Sequence, residues 1–287
     1  MKVDGVVVWY KPSEENIQNI KSYLNYLNKL YIVDNSDDEN IERLKLEKRL
    51  MEKIKYIPLN ENKGIAYALN LGIKESVKNK SDYLITLDQD SSFLEENMLL
   101  KYFEMIDNDK DKSEVALYGV STTAENSFSL KENEFSEVKV LISSGMMINL
   151  KLIDKIGYFK EEFFIDEVDT EYCYRVLKNG KKIKKANNIC LKHKIGESKI
   201  YKIFGKKITK VTHHNYIRRY YMIRNKLYMI KMFPEEKKAY KRRIRREIKN
   251  IILFEKDKIL KLKMCLLAYK DFKNKIMGKI PKEYMKK

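Results

Sequence analysis

The stretch Tyr83-Leu84-Ile85-Thr86-Leu87-Asp88-Gln89-Asp90-Ser91 carries an apolar, β-branched run straight into two carboxylates one residue apart. A short run of this kind reads as a buried strand, and in open α/β sheets ligands bind beyond the carboxyl ends of the strands. Asp88 and Asp90 would then stand at a ligand-binding edge. Carboxylate oxygens are what a hard divalent cation prefers, and a cation so held binds a diphosphate. Two carboxylates after a strand also cap a following helix, so the pair gains its meaning from its surroundings.

Upstream the pattern alternates. Val3 to Trp9 is a β-branched run, and Ser13 to Lys29 has Ile17, Ile20, Leu24 and Leu27 at helical spacing behind Ser13 as N-cap. Leu30 to Val33 reads as a strand, Ile41 to Met51 as a helix, Lys55 to Leu59 as a strand, and Ile65 to Val77 as a helix. This βαβαβαβ succession predicts an α/β fold with a mainly parallel, Rossmann-like sheet covered by helices. The loops at Tyr10 to Ser13, Asp34 to Asp37, Asn60 to Gly64 and Asp88 to Ser92 would share one edge. None of them contains a GxGxxG or GxxxxGK[ST] pattern, which argues against a dinucleotide-binding or P-loop site.

Further on, Val115 to Val120 and Val138 to Ile142 are strand candidates, followed by the small-residue turn Ser143-Ser144-Gly145. Phe163-Phe164-Ile165-Asp166-Glu167-Val168-Asp169-Thr170-Glu171 then places four acids in six positions, ahead of a helix that Asn179-Gly180 ends. At a helix start these carboxylates stay ionised, so Asp169 would accept a proton from an incoming hydroxyl; capping and solvation of the helix is the alternative. Ile183 and Ile189 to Leu191 read as short strands leading to His193, a candidate third metal ligand, whereas His213 and His214 read as surface residues.

The 287 residues, 44% hydrophobic with only ten Gly and four Pro, describe a globular chain. No run is long and apolar enough to span a membrane, and Cys173, Cys190 and Cys265 form no CxxC pair, which together predict a cytoplasmic protein. The net charge of +18 divides sharply. Residues 1 to 175 carry 23 Lys+Arg against 33 Asp+Glu, a net of −10, and residues 176 to 287 carry 36 against 8, a net of +28. Two regions follow: residues 1–198 as a catalytic domain and 199–287 as a basic, amphipathic helical tail. In the tail, Tyr240, Ile244, Ile248 and Ile251 form one apolar stripe and Ile259, Leu262, Leu266 and Tyr269 a second. Helices packed on the main domain and peripheral attachment to an anionic membrane surface both use this pattern. A nucleic-acid-binding protein with the Asp pair as a nuclease site is an alternative, opposed by the acidic body, and no nucleic acid is expected as a partner.

In order along the chain, Trp9-Tyr10-Lys11-Pro12, Val33-Asp34-Asn35-Ser36, Asn60-x-Asn62-Lys63-Gly64-Ile65-Ala66-x-Ala68-x-Asn70-x-Gly72, Leu87-Asp88-Gln89-Asp90-Ser91, Ser143-Ser144-Gly145, the acidic segment and His193-x-x-Gly196 resemble family 2 of the inverting glycosyltransferases. The resemblance implies the glycosyltransferase A fold and a nucleotide-sugar donor. It places Tyr10 against the nucleobase and Asp34 on the base's edge, with Asn62, Gly64, Asp88 and Gln89 in the donor site. Asp90, with Asp88 and His193, would hold Mg2+ or Mn2+, and Asp169 would be the catalytic base, with Asp166 and Glu167 as additional acids. The finer pattern is similar to the rhamnosyltransferase branch, a similarity that Arg219-Tyr220-Tyr221-Met222-Ile223-Arg224-Asn225 shares. That branch implies dTDP-L-rhamnose as donor, a UDP-hexose being the alternative. The acceptor implied is a saccharide or lipid-linked saccharide of a capsule or cell-wall polysaccharide. Three residues depart from the family: Lys11 stands where Asn is common, Val168 where Glu is, and Trp9, where a smaller residue is frequent, would reshape the base pocket.

Overall fold

The structure, a computed structural model, describes residues 1–44, 46–95, 97–123, 135–193, 198–203 and 206–285. It divides into two compact units, Met1–Lys160 with Val168–Lys194, and Glu161–Glu167 with Ile195–Lys287.

The first unit is built on a nine-stranded sheet. Its strands are β1 (Val3–Trp9), β2 (Leu30–Asp34), β3 (Ile54–Pro58), β4 (Tyr83–Asp88), β5 (Ser91–Phe93), β6 (Val115–Thr122), β7 (Phe135–Glu137), β8 (Met146–Asn149) and β9 (Lys182–His193). The order is β3-β2-β1-β4-β8-β6-β9-β5, with β7 also on β9. β1 to β4 pair in parallel, β8 runs against both β4 and β6, and β6 and β9 are parallel. Most of the sheet therefore shares one direction, as the alternating pattern predicts. The helices are α1 (Glu14–Asn19), α2 (Lys48–Met51), α3 (Ile65–Lys78), α4 (Met98–Asp107), α5 (Ile153–Ile156) and α6 (Val168–Lys178).

Two long helices expected near the N-terminus are broken. Ser13 does cap α1, in a capping box with Asn16, but the chain then passes through 3-10 turns at Ile20–Ser22 and Leu24–Tyr26. Asn and Ser side chains compete with the helical backbone here: Ser22 Oγ donates to the Asn19 carbonyl at 2.8 Å. Ile41–Arg43 is likewise a 3-10 turn, and α2 is a single turn. Residues 138–142 are not a strand; β7 lies just before them, and Leu141 turns inward while Val140 and Ile142 are exposed. Ile183 and Ile189 to Leu191 lie on one strand rather than two. Trp9 is fully buried in the core, edge-on to Tyr56 of β3 at 6.4 Å, rather than exposed at the edge where β1 ends.

The second unit does not begin as a helix. Ser198–Ile203 (β10) and Lys206–Thr212 (β11) form an antiparallel hairpin, because Ile200, Tyr201, Ile208, Thr209 and Val211 favour extended backbone. Three helices follow, α7 (Tyr216–Met232), α8 (Lys237–Phe254) and α9 (Lys258–Lys273). Phe164, Tyr220, Tyr221, Ile223, Ile251, Met264, Cys265 and Ala268 form their shared core. Inside this unit Arg219 is buried, donating to Glu247 and to Glu255 (2.5 Å), and Lys261 reaches Glu255 at 2.8 Å. His213 is exposed, but His214 is half-buried, and burial lowers its pKa to about 4.

Candidate active site

Parallel pairing brings the ends of four strands to one edge. Trp9 is opposite Asp34, Asp34 opposite Pro58, and Val8 opposite Asp88, so Asp34 and Asp88 lie on either side of the end of β1. Tyr10 follows directly, its ring 43% exposed, with the Lys11 ammonium 5.5 Å from the ring centroid. Lys11 adopts a left-handed backbone (φ 49°) and donates its N–H to Ser36 Oγ at 2.7 Å.

Asp34 is buried, and its carboxylate accepts from the Ser36 N–H (3.1 Å), Asn40 Nδ2 (2.8 Å) and the Tyr56 hydroxyl (2.6 Å). Burial and this carboxylate together push the Tyr56 phenol above its ordinary range. The loop after β3 is held by two amides. Asn35 Oδ1 accepts from the Lys63 N–H at 2.7 Å, and Asn62 Oδ1 accepts from the Gly64 N–H at 3.0 Å and from Asn35 Nδ2 at 3.2 Å. Gly64, at φ 89°, opens α3 in a conformation that glycine adopts without steric cost, and no side chain caps that helix.

Gln89 ties two loops together. Its side chain accepts from the Tyr10 N–H at 2.8 Å and donates to the Tyr10 carbonyl at 3.3 Å, while its own carbonyl accepts from Asn19 Nδ2 at 2.9 Å. The turn Ser143–Gly145 buttresses the acidic pair: Ser144 Oγ accepts from the Asp88 N–H (3.3 Å) and donates to Ser91 Oγ (2.7 Å). Asp88 and Asp90 are both half-buried. The β5–β9 pairing sets Ser91 opposite His193, so the His193 backbone arrives beside the residue that follows Asp90. The His193 side chain and Gly196 lie outside the described residues. Among the described residues no three His, Cys, Asp or Glu side chains converge. Two half-buried carboxylates one residue apart are the ligand type that a hard divalent cation takes, and the β5–β9 register sets the His193 backbone opposite Ser91.

Asp169 is the second residue of α6 and half-buried; its Oδ1 accepts from the Thr170 N–H at 2.7 Å. α6 is locked in place by Arg175, which pairs with buried Glu171 through two bonds of 2.9 and 2.8 Å and donates to the carbonyls of Ile156 (2.5 Å) and Tyr158 (2.8 Å). Asp166 and Glu167, both with left-handed backbone, belong to the second unit. There Arg218 donates to both Asp166 oxygens at 3.2 and 3.3 Å, and Glu167 accepts from the Tyr240 hydroxyl at 2.7 Å and pairs with Lys226 at 3.5 Å. The positioning groups Asn19, Asn40 and Tyr56 carry no local motif; only the partner that each meets in the fold reveals them.

A glycosyl transferase family 2 model matches residues 14–165, which include Asp34, Asn62, Gly64, Asp88, Gln89 and Asp90. The chain is 31% identical over 244 residues to the dTDP-rhamnosyl transferase RfbF of Shigella flexneri, covering 79% of each chain. It is 27% identical over 188 residues to the low-salt glycan biosynthesis hexosyltransferase Agl10 of Haloferax volcanii, covering 59% of this chain and 60% of that one. In structure it resembles GalNAc-T7 solved with UDP, GalNAc and Mn2+, at TM-score 0.59 and 14% identity, over 96% of this chain and 56% of that one. The mannosyltransferase PcManGT of Pyrobaculum calidifontis, solved with GDP-Man and Mn2+, superposes at TM-score 0.55 and 12% identity over 99% of this chain and 78% of that one. A sheet edge that gathers Asp34, Asp88 and Asp90, a family match spanning all three and a relative alike over most of its length lead to one conclusion: this chain belongs to glycosyl transferase family 2.

Proposed function

We propose that the protein is a metal-dependent inverting transferase that moves L-rhamnose from dTDP-L-rhamnose to a saccharide or lipid-linked saccharide acceptor in bacterial surface polysaccharide synthesis. The observation that carries this is the Asp88-Gln89-Asp90 edge, with Tyr10 strapped beside it and Asp34 on the far side of β1. The half-exposed Tyr10 ring offers a stacking face for a nucleobase, and Asp34, fixed by three donors, has remaining lone-pair capacity towards the base's edge. Asn62 and Gly64 shape the loop that would border the nucleotide or sugar.

Asp90 and Asp88, with His193, would hold Mg2+ or Mn2+. When bound, the ion supplies positive charge against the diphosphate leaving group. Asp169 takes the proton of the acceptor hydroxyl as that oxygen bonds to the anomeric carbon from the face opposite the diphosphate, and the bond to the diphosphate breaks. The rhamnosyl assignment leans on the dTDP-rhamnosyl transferase relative. A UDP-hexose donor is the second reading, favoured by the solved neighbours that carry UDP or UDP-GlcNAc.

The test is thermal denaturation of the purified protein with dTDP, dTDP-rhamnose and UDP-sugars, with Mn2+, Mg2+ or EDTA. A ligand at a hundredfold its Kd stabilises by about 2.7 kcal/mol, enough for a clear rise in melting temperature. The expected result is metal-dependent stabilisation by dTDP-rhamnose that Asp90→Ala abolishes. A response to UDP-sugars alone would keep the chemistry and change the sugar, and silence towards every nucleotide would overturn the reading.

A further inference from the structure

α9 is apolar on both sides. Met264, Cys265 and Ala268 pack into the core of the second unit, while Ile259 (87% exposed), Leu266 (71%) and Tyr269 (50%) look outward. Leu262 lies between them on the wheel, partly buried. At the end of α8, three residues before α9, Ile252 (48%) and Leu253 (52%) are also exposed. A run of large apolar side chains held in water on one helix is a contact surface rather than a packing defect.

Its border is cationic. Lys263, Lys270 and Lys273 follow Ile259, Leu266 and Tyr269 each by four residues, so each lies one turn along the same exposed face. The Lys273 ammonium stands 5.9 Å from the Tyr269 ring centroid. From Lys237 to Lys275 the chain has 15 Lys+Arg against four Asp+Glu. Of those four acids, Glu255 and Asp271 are buried, Glu255 against Arg219 and Lys261, Asp271 under the hydroxyls of Tyr220 and Tyr284. Glu247 is also turned to Arg219. The outward charge of these helices is thus positive almost throughout.

We infer that the outward face of α9, with the end of α8, seats on an anionic lipid surface. Ile259, Leu266 and Tyr269 enter the boundary between headgroups and acyl chains, and the lysines meet the lipid phosphates with their stems along the apolar stripe. No helix of the described residues is long and apolar enough to cross a membrane, so the contact lies in the plane of the interface. Charge decides between occupants. A second copy would bring lysine against lysine, and a nucleic acid would leave Ile259 and Leu266 under phosphates. The inference does not depend on which sugar the enzyme moves.

Co-sedimentation of the full chain with vesicles tests it. Binding is expected to vesicles of equal parts phosphatidylcholine and phosphatidylglycerol, and not to phosphatidylcholine alone. Ile259→Glu with Leu266→Glu should lower the partition coefficient at least about tenfold, and each neutralised lysine by about fivefold, with the melting temperature unchanged because these side chains are exposed. Absence of binding by the unaltered chain would overturn the inference. So would undiminished binding by the Glu variant, or capture of RNA alone. A dimer broken by the same substitutions, with no vesicle binding, would make this face an interface between copies and overturn it as well.

Discussion

Asp169 owes its place to the first turn of α6, and the Thr170 N–H orients one of its oxygens. Asp169→Asn keeps the shape and removes the proton acceptor. Transfer should fall by about 10^2 to 10^4, while metal-dependent stabilisation by the donor persists. Loss of both together would assign Asp169 to donor binding instead. How much of this neighbourhood the sequence disclosed follows from distance along the chain. Asp88 and Asp90 are one residue apart, so local order alone exposes them, and Asp34 ends an apolar run in the same way. What holds Asp34 is less visible, since Tyr56 lies 22 residues away and meets it only through the β2–β3 pairing. Gln89 shows a different limit: its position in the motif suggested donor contact, whereas its amide is engaged with the Tyr10 backbone. Asn70, quoted for the same family pattern, is buried and bonds the Phe159 backbone in both directions at 2.9 Å, a structural duty that spacing does not distinguish from a binding one.

Among the elements, α3 was legible because strong apolar periodicity and close packing agree. Gly72 shows the packing: a Cβ there would stand 2.5 Å from Val6 Cβ, so the helix lies directly on β1. Gly72→Ala should therefore destabilise the chain by about 1–3 kcal/mol through overpacking, read as a lower denaturant midpoint; an unchanged midpoint would mean that α3 shifts freely over the sheet. Residues 13–29 do not form one helix, although their apolar spacing is helical, because their Asn and Ser side chains compete with the helical backbone. In the hairpin β10–β11 the abundant lysines obscure the β-branched residues Ile200, Ile203, Ile208, Thr209 and Val211, which favour extended backbone. His214 lies half-buried just after that hairpin. Its folded pKa lies near 4 against an ordinary 6.5, so the neutral form stabilises the fold fully above pH 6.5, and this contribution is lost as pH falls towards 4. The denaturant midpoint should drop over that interval more in the unaltered protein than in His214→Gln; equal drops would show that His214 is not held neutral.

The chain leaves the first unit at residue 160, returns at Val168, and leaves again after Lys194. The basic region is therefore not a simple appendage, because residues 161–167, directly ahead of α6, fold with it. Their backbone is unusual: Phe164, Asp166 and Glu167 all have positive φ, a conformation that costs such residues of order 1 kcal/mol or more each. Buried Asn225 on α7 holds this path, its Nδ2 donating to the carbonyls of Phe163 (2.9 Å), Ile165 (2.7 Å) and Asp166 (2.9 Å). Arg224 adds longer bonds to the carbonyls of Glu162 and Phe163, at 3.4 Å each, and a 2.7 Å bond to that of Gly278. The Asp166 that Asn225 fixes is three residues from Asp169, the base proposed above, so a displaced path would be passed along the chain to it. Asn225→Leu, close in size but without donors, should cost about 1–3 kcal/mol of stability. It should also slow transfer by about tenfold to a hundredfold, the penalty of a base displaced by a fraction of an ångström to an ångström. Donor-induced, metal-dependent stabilisation should be unaffected, because Asp34 and Asp88 end strands of the first unit and Asp90 lies in the turn between β4 and β5. A folded Asn225→Leu protein that transfers at the normal rate would show that Asp169 holds its position without this support; one that loses donor stabilisation as well would place the effect in the sheet edge rather than in the path to α6.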